Sequence, residues 1–191
     1  MKNSENNKKK LIVLTGTTCT GKSLTALNLH DLIPSEIISA DSMLVYRYFN
    51  IGTAKPTKKT LSKTKHHLVD IVDPDDEFDA WKFMELSRAV IDESNLNNFI
   101  VVGGTQLYIK SLIEGLTFDI SKNVDVRRSI LSDLESYGTV YMYSKLKEVD
   151  PEGAAMISSN DKQRIVRYLE INSITGQRVS QVFKMKSNQK I

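Results

Sequence analysis

The sequence holds one cysteine, Cys19, so no internal disulfide can form. No apolar run approaches the length needed to span a bilayer, which argues against a membrane partner. The first ten residues are polar and Lys-rich and lack the apolar core of a signal peptide. They read as a disordered basic tail, residues 1–10, on a cytoplasmic protein. A large excess of either charge sign is also lacking: the formal net charge of +3 is too small to name a partner. That small total hides an uneven distribution. Residues 54–67 carry five lysines, two histidines and no acid, whereas residues 70–79 carry six acids and no base. The segment from Lys162 to Ile191 is again mostly basic. Basic stretches usually mark solvated faces, so charge alone gives only a modest lean toward nucleic acid.

The chain of 191 residues is long enough for one full domain, or one domain with an insertion, and its hydrophobic content of 40% is ordinary for a globular protein. Its organising stretch is Gly16-Thr17-Thr18-Cys19-Thr20-Gly21-Lys22-Ser23, which fits the phosphate-loop pattern G-x-x-x-x-G-K-[ST]. The flanks agree with it. Leu11–Thr15 reads as a short buried strand. Lys22 to about Ile33 reads as a helix, with Leu24, Leu27 and Leu32 available for one face. Gly16 and Gly21 let the backbone curl so that its N–H groups point at phosphate oxygens. The positive end of the helix dipole faces the same anion. Lys22 adds a full charge, and the Ser23 hydroxyl can hold Mg²⁺.

Glu36–Ala40 reads as a second strand ending at Asp41-Ser42. A carboxylate at the carboxyl end of a strand beside a phosphate loop is well placed for chemistry, though Asp equally often serves as a cap. Residues 51–65 read as an exposed loop and His66–Val72 as a strand. Adjacent strand residues point to opposite faces, so the two histidines do not suggest a metal. Asp79 to about Asn97 is the longest helical pattern, with Asp79 as a cap and Trp81, Phe83, Met84, Leu86 and Val90 as apolar positions. Phe99–Val102 is a buried strand followed by Gly103-Gly104-Thr105 and a helix through about Leu112. That strand ends in glycine rather than the acid that often helps hold Mg²⁺ in phosphate-loop kinases. The glycines suggest close approach of backbone to a ligand.

From Asn123 onward the strand signals stop. Val124–Tyr137, Val140–Val149, Pro151–Ile157 and Asn160–Thr175 read as consecutive helices. The expected architecture is α/β: a mainly parallel, P-loop NTPase-like core over 11–120, a helical insertion subdomain over 121–183, and a tail over 184–191. On the last long helix Gln163, Arg167 and Glu170 share a face, with Arg164 beside them. Taken by itself, that face reads as solvated and salt-bridged.

Several segments together resemble the tRNA dimethylallyltransferase family. They are the phosphate loop, Asp41-Ser42-Met43-Leu44-Val45-Tyr46-Arg47, Ile51–Pro56, His66–Ile71, Asp73-Pro74, Val102–Ile109 and Asn160–Arg167. The resemblance runs from about Leu11 to Val182. Leu44 stands where the family usually has Gln, Gln106 where it has Gly, and Thr17 and Cys19 where it has Pro and Ala. The family normally continues well past the helical insertion, so the chain resembles a shortened member.

The resemblance implies a donor, dimethylallyl diphosphate, bound by Gly16, Thr17, Thr18, Cys19, Thr20, Gly21, Lys22 and Ser23, with Mg²⁺ at Ser23. It implies an acceptor, the exocyclic amine of the adenosine beside the anticodon of tRNA. Asp41 would be the general base and Thr105 would line the reaction channel. The tRNA contacts would come from Asp41, Ser42, Met43, Leu44, Thr105, Arg127, Gln163, Arg164, Ile165, Val166 and Arg167. A monomer is expected. Two alternatives stand beside this reading: a small-molecule kinase with ATP in the same loop, and a truncated remnant that binds RNA or diphosphate without turnover.

Overall fold

The computed structural model describes residues 8–116 and 123–187. They belong to two compact units, Met1–Leu116 and Thr117–Ile191.

The first unit contains β1 (Lys10–Thr15), α1 (Lys22–Leu32), β2 (Ser35–Ser39), α2 (Lys58–Lys63), β3 (His66–His67), α3 (Ala80–Glu93), β4 (Asn98–Gly103) and α4 (Gln106–Glu114). All strand pairs are parallel, in the order β1-β4-β2-β3. Helices on both faces explain why β2 and β4 read as continuous apolar runs. Ile38, Phe99 and Val101 pack with Phe83 and Ile91 of α3 and with Tyr108, Ile109 and Leu112 of α4. On the opposite face Ile37, Ile100 and Val102 pack with Ala26 of α1. Asp79 caps α3 as expected, accepting from the N–H groups of Trp81 and Lys82.

Four local expectations are corrected. Ala26, not a leucine row, is the buried residue of α1. Leu24 and Leu32 are 64% and 78% exposed, because the face directed at the sheet runs through Ala26, with Leu27 and Leu29 at its margin. The strand at His66 stops after two residues. Leu68 and Asp70 take positive φ of 61° and 55°, which no extended strand allows. Within the expected loop, Lys58–Lys63 forms a helix whose Thr57 side chain accepts from the Thr60 N–H. The expected C-terminal tail from 184 overlaps a helix, α8, which runs from Val179 to Ser187.

The second unit, among its described residues, is helical throughout: α5 (Val124–Val149), α6 (Pro151–Ala155), α7 (Lys162–Thr175) and α8. Gly138 breaks α5 with φ 79°, which separates the two helical runs read from the sequence. Ile130, Met142 and Leu146 of α5 pack with Ala154, Ile165, Val166 and Leu169. Asp150 joins three elements. Its carboxylate accepts from the Gly153 N–H, the Ser180 N–H and the Ser180 hydroxyl, and only 1% of the residue is exposed. Burial acts to raise its pKa, but the Ser180 and Gly153 hydrogen bonds outweigh that and hold it below the usual value. No helix among the described residues is long and apolar enough to cross a membrane.

Candidate functional site

Parallel pairing places the chemistry-bearing residues at one end of the sheet. Thr15 pairs with Gly103 and Ser39 with Val102, so three neighbouring strands end together. Ligands of open α/β sheets bind at this carboxyl end.

The loop after β1 has the backbone of a phosphate cradle. Gly16, Cys19 and Gly21 take positive φ of 148°, 62° and 83°. The sequence pointed to the two glycines; Cys19 shares the left-handed geometry and is exposed. Gly21 precedes α1 without a side-chain cap, and the first turn carries no acid. The N–H groups that open the helix are therefore not satisfied by a side-chain cap, which suits an anion. The Lys22 ammonium lies over the loop, donating to the Thr17 carbonyl at 2.5 Å. Thr20 Oγ1 donates to the same carbonyl at 2.9 Å. Ser23 is exposed at the start of α1.

Beside the loop, Asp41 follows β2. Its Oδ1 accepts from the N–H groups of Met43 (2.8 Å) and Leu44 (3.3 Å). Both roles considered for Asp41 are thus compatible: one oxygen caps the turn, and neither of these bonds uses Oδ2. The Ser42 N–H donates to Thr105 Oγ1 at 3.0 Å, and the Thr105 N–H donates to the Ala40 carbonyl at 3.1 Å. Gln106 reaches from α4 to Thr15, donating to its hydroxyl at 2.6 Å. Asp41, Ser42, Thr105 and the end of β1 are therefore joined in one framework. Leu44 is half-buried and Met43 exposed.

The two glycines of the Gly-Gly pair meet different neighbours. A Cβ on Gly103 would lie 2.0 Å from the Ala40 carbonyl oxygen, so Gly103 admits a neighbouring strand end. A Cβ on Gly104 would meet the Gly16 carbonyl at 3.7 Å, an ordinary contact at the root of the phosphate loop.

The sequence reading missed Lys55 and Asp70. Lys55 lies in the basic run taken as solvated, yet its side chain is 4% exposed. It donates to Asp70 Oδ1 at 2.5 Å and to the Tyr46 carbonyl at 2.7 Å. Arg47 adds bonds to the Asp70 carbonyl (3.1 Å) and Asp73 (3.0 Å). These bonds fasten the segment following Asp41 to residues 70–73. The signal available was Ala54-Lys55-Pro56, where Lys55 stands apart from the other lysines of the run, between an alanine and a proline.

In the second unit, α7 opens at Asp161, whose side chain accepts from the Arg164 N–H and pairs with the Arg164 guanidinium at 2.8 Å. Gln163 and Arg164 are exposed. Ile165 and Val166, included in the expected tRNA-binding stretch, are 0% and 2% exposed. Their side chains form helical core. Arg127 and Arg167 converge on Glu170, at 3.2 and 2.9 Å from its Oε2. Glu170 was read as part of a solvated face; it is fully buried.

A strand, a glycine loop and an uncapped helix, with an acid ending the strand next but one in the sheet, define an α/β domain of the P-loop class. The IPP transferase family model matches residues 44–191, and the chain belongs to that family. It is 40% identical over 184 residues to the tRNA dimethylallyltransferase of Caldanaerobacter subterraneus subsp. tengcongensis, covering 95% of this chain and 58% of that protein. Among solved structures, a eukaryotic dimethylallyltransferase acting on tRNA is similar at TM-score 0.79 and 31% identity, covering 93% of this chain and 44% of that one. The tRNA isopentenylpyrophosphate transferase of Bacillus halodurans is similar at TM-score 0.56 and 38% identity, covering 89% and 57%. The chain spans about half the length of the curated relatives it matches. Membership of this family displaces the small-molecule kinase alternative.

Proposed function

We propose that the chain transfers a dimethylallyl group from dimethylallyl diphosphate to the exocyclic amine of the adenosine beside the anticodon in tRNA. The observation that carries this reading is the framework joining Asp41, Ser42 and Thr105 at the sheet end that also bears the phosphate loop.

The cradle of N–H groups and the Lys22 ammonium bind the diphosphate. As the allylic C–O bond breaks, negative charge grows on the leaving group, where these fixed donors stabilise it. To bind, Lys22 exchanges its Thr17 carbonyl partner for phosphate oxygens. The Ser23 hydroxyl, a hard oxygen donor at the helix start, fits Mg²⁺ shared with substrate phosphates rather than held in a protein cage. No cluster of three or more acids, histidines or cysteines that could form such a cage occurs among the described residues. When bound, the ion would neutralise diphosphate charge.

The amine lone pair is delocalised into the adenine ring, so the amine is a weak nucleophile. Asp41, held through Oδ1, takes its proton as the bond to the first allyl carbon forms. Thr105 orients the acceptor from the same framework. The base must leave its stack to react. In the second unit, Arg127, Gln163, Arg164 and Arg167 offer the donors that phosphates and unstacked bases accept. The exposed thiol of Cys19 suits a reducing, cytoplasmic setting. A monomer suffices for these roles.

The test is transfer of a radiolabelled allyl group from dimethylallyl diphosphate to unmodified tRNA, run beside a longer version of the gene. Label on tRNA supports the reading. Binding of RNA and donor without transfer by either form would sink it.

A further inference from the structure

The buried carboxylate of Glu170 has no place in the hydrophobic logic of α7. Its neighbours in the helix, Ile165, Val166, Leu169 and Ile171, are all core residues. Glu170 itself is 0% exposed, and among the described residues its Oε1 has no hydrogen-bond partner. A half-used buried carboxylate is a poor device for stability, since desolvation offsets most of the attraction to its partners. Its other oxygen accepts from two guanidiniums at once, Arg127 of α5 at 3.2 Å and Arg167 of α7 at 2.9 Å.

Sharing one carboxylate oxygen holds the two arginine side chains adjacent to each other. They remain 40% and 33% exposed, so their outer parts reach solvent while the carboxylate does not. Two planar forks held together beside solvent match a phosphate better than a base edge, because phosphate oxygens accept from several N–H groups at once.

We propose that Glu170 is a positioning residue that holds Arg127 and Arg167 as a paired clamp for a backbone phosphodiester of the RNA. This rests on the tRNA-modifying reading above. It differs from a generic basic patch in one respect. A patch gains affinity when a nearby negative charge is removed, whereas a clamp loses it.

The experiment compares the full chain with Glu170→Gln, Arg127→Ala and the double variant, using an unmodified anticodon stem-loop RNA as probe. The clamp predicts that Glu170→Gln weakens RNA binding about fivefold or more, although it removes a negative charge. Arg127→Ala should weaken binding of the wild-type sequence, and much less in the Glu170→Gln background. The slope of log affinity against log salt should become shallower in Glu170→Gln, by about 0.7 if a single phosphate contact is lost. Unchanged or tighter binding by folded Glu170→Gln would overturn the clamp and leave the tRNA reading intact. Failure of the wild-type chain to bind this RNA would overturn both.

A second measurement needs no variant at Glu170. Guanidinium NMR signals of Arg127 and Arg167 in the wild-type protein should shift together on adding the stem-loop. They should shift less when neutral methylphosphonates replace its loop phosphates. Signals that ignore the RNA, or that respond equally to neutral and charged backbones, reject a phosphate clamp even if Glu170→Gln does not fold.

Discussion

Thr105 Oγ1 accepts a hydrogen bond from the backbone N–H of Ser42 at 3.0 Å, so a side chain following β4 fixes the turn following β2. Accepting this bond leaves the hydroxyl proton of Thr105 available to donate. Thr105→Ser should keep both the bond and the donor and retain most transfer activity. Thr105→Val is nearly isosteric but strands the Ser42 N–H, at a cost of about 1–3 kcal/mol. It should lower kcat more than donor affinity, which steady-state kinetics with each substrate varied will show.

Asp41→Asn preserves an acceptor for the Met43 and Leu44 N–H groups while removing the proposed base. It should fold normally, bind donor and lose about two to four orders of magnitude in turnover. Lys22→Ala should show the reverse emphasis, with diphosphate binding weakened about tenfold or more. Calorimetric titration with donor alone, set beside single-turnover transfer, separates the two. Near-normal turnover by Asp41→Asn would remove its assignment as base.

Gly103→Ala drives a methyl group into the Ala40 carbonyl. Backbone cannot yield as a flexible side chain would, so β2 and β4 must move apart. The change should cost about 1–3 kcal/mol and displace Asp41 and Thr105 together. Thermal melting tests the first part. Loss of transfer out of proportion to the lost stability tests the second.

The Asp150 carboxylate, with its lowered pKa, ties stability of the helical unit to acid pH. Its contribution is fully present above the ordinary value of 3.8 and is lost as pH falls through the lower folded value. Asp150→Asn should therefore destabilise by about 2 kcal/mol or more near neutral pH. The gap from wild type should close below about pH 4. Urea melts from pH 3 to 7 provide the check.

Among the described residues, Arg164 bonds at the surface, to the Asp161 cap. Arg164→Ala should change stability by less than about 1 kcal/mol. If Arg164 contacts a base, RNA affinity should fall by about 1–3 kcal/mol with donor affinity unchanged. Parallel titrations with stem-loop and with donor settle it.

The sequence showed most clearly what local chemistry enforces. The glycine loop, the Asp79 cap and the Gly138 break between two helical runs each follow from a backbone requirement confined to a few residues. What stayed hidden depends on distant partners. Glu170 reads as solvated until Arg127, 43 residues away, is placed against it. Lys55 reads as one of a basic run until Asp70 and the Tyr46 carbonyl enclose it. Leucines in α1 read as a buried row because leucine content signals burial without saying which side meets the sheet. The brevity of β3 was equally illegible: the apolar character of Leu68–Val72 suits a strand, but the positive φ of Leu68 and Asp70 ends it after His67.

Strand order also bears on how the molecule comes into being. The two halves of the sheet that meet in β4, β1 on one side and β2 on the other, are made long before it. Lys10 must wait for Asn98, and β1 and β2 are neighbours only through β4. During synthesis both early strands therefore leave the ribosome with apolar faces and unfilled backbone edges. The closing of so long a loop is a slow, cooperative step. The phosphate loop, although written near the start of the chain, gains its rigid support only when the last strand of the first unit slides between its elders.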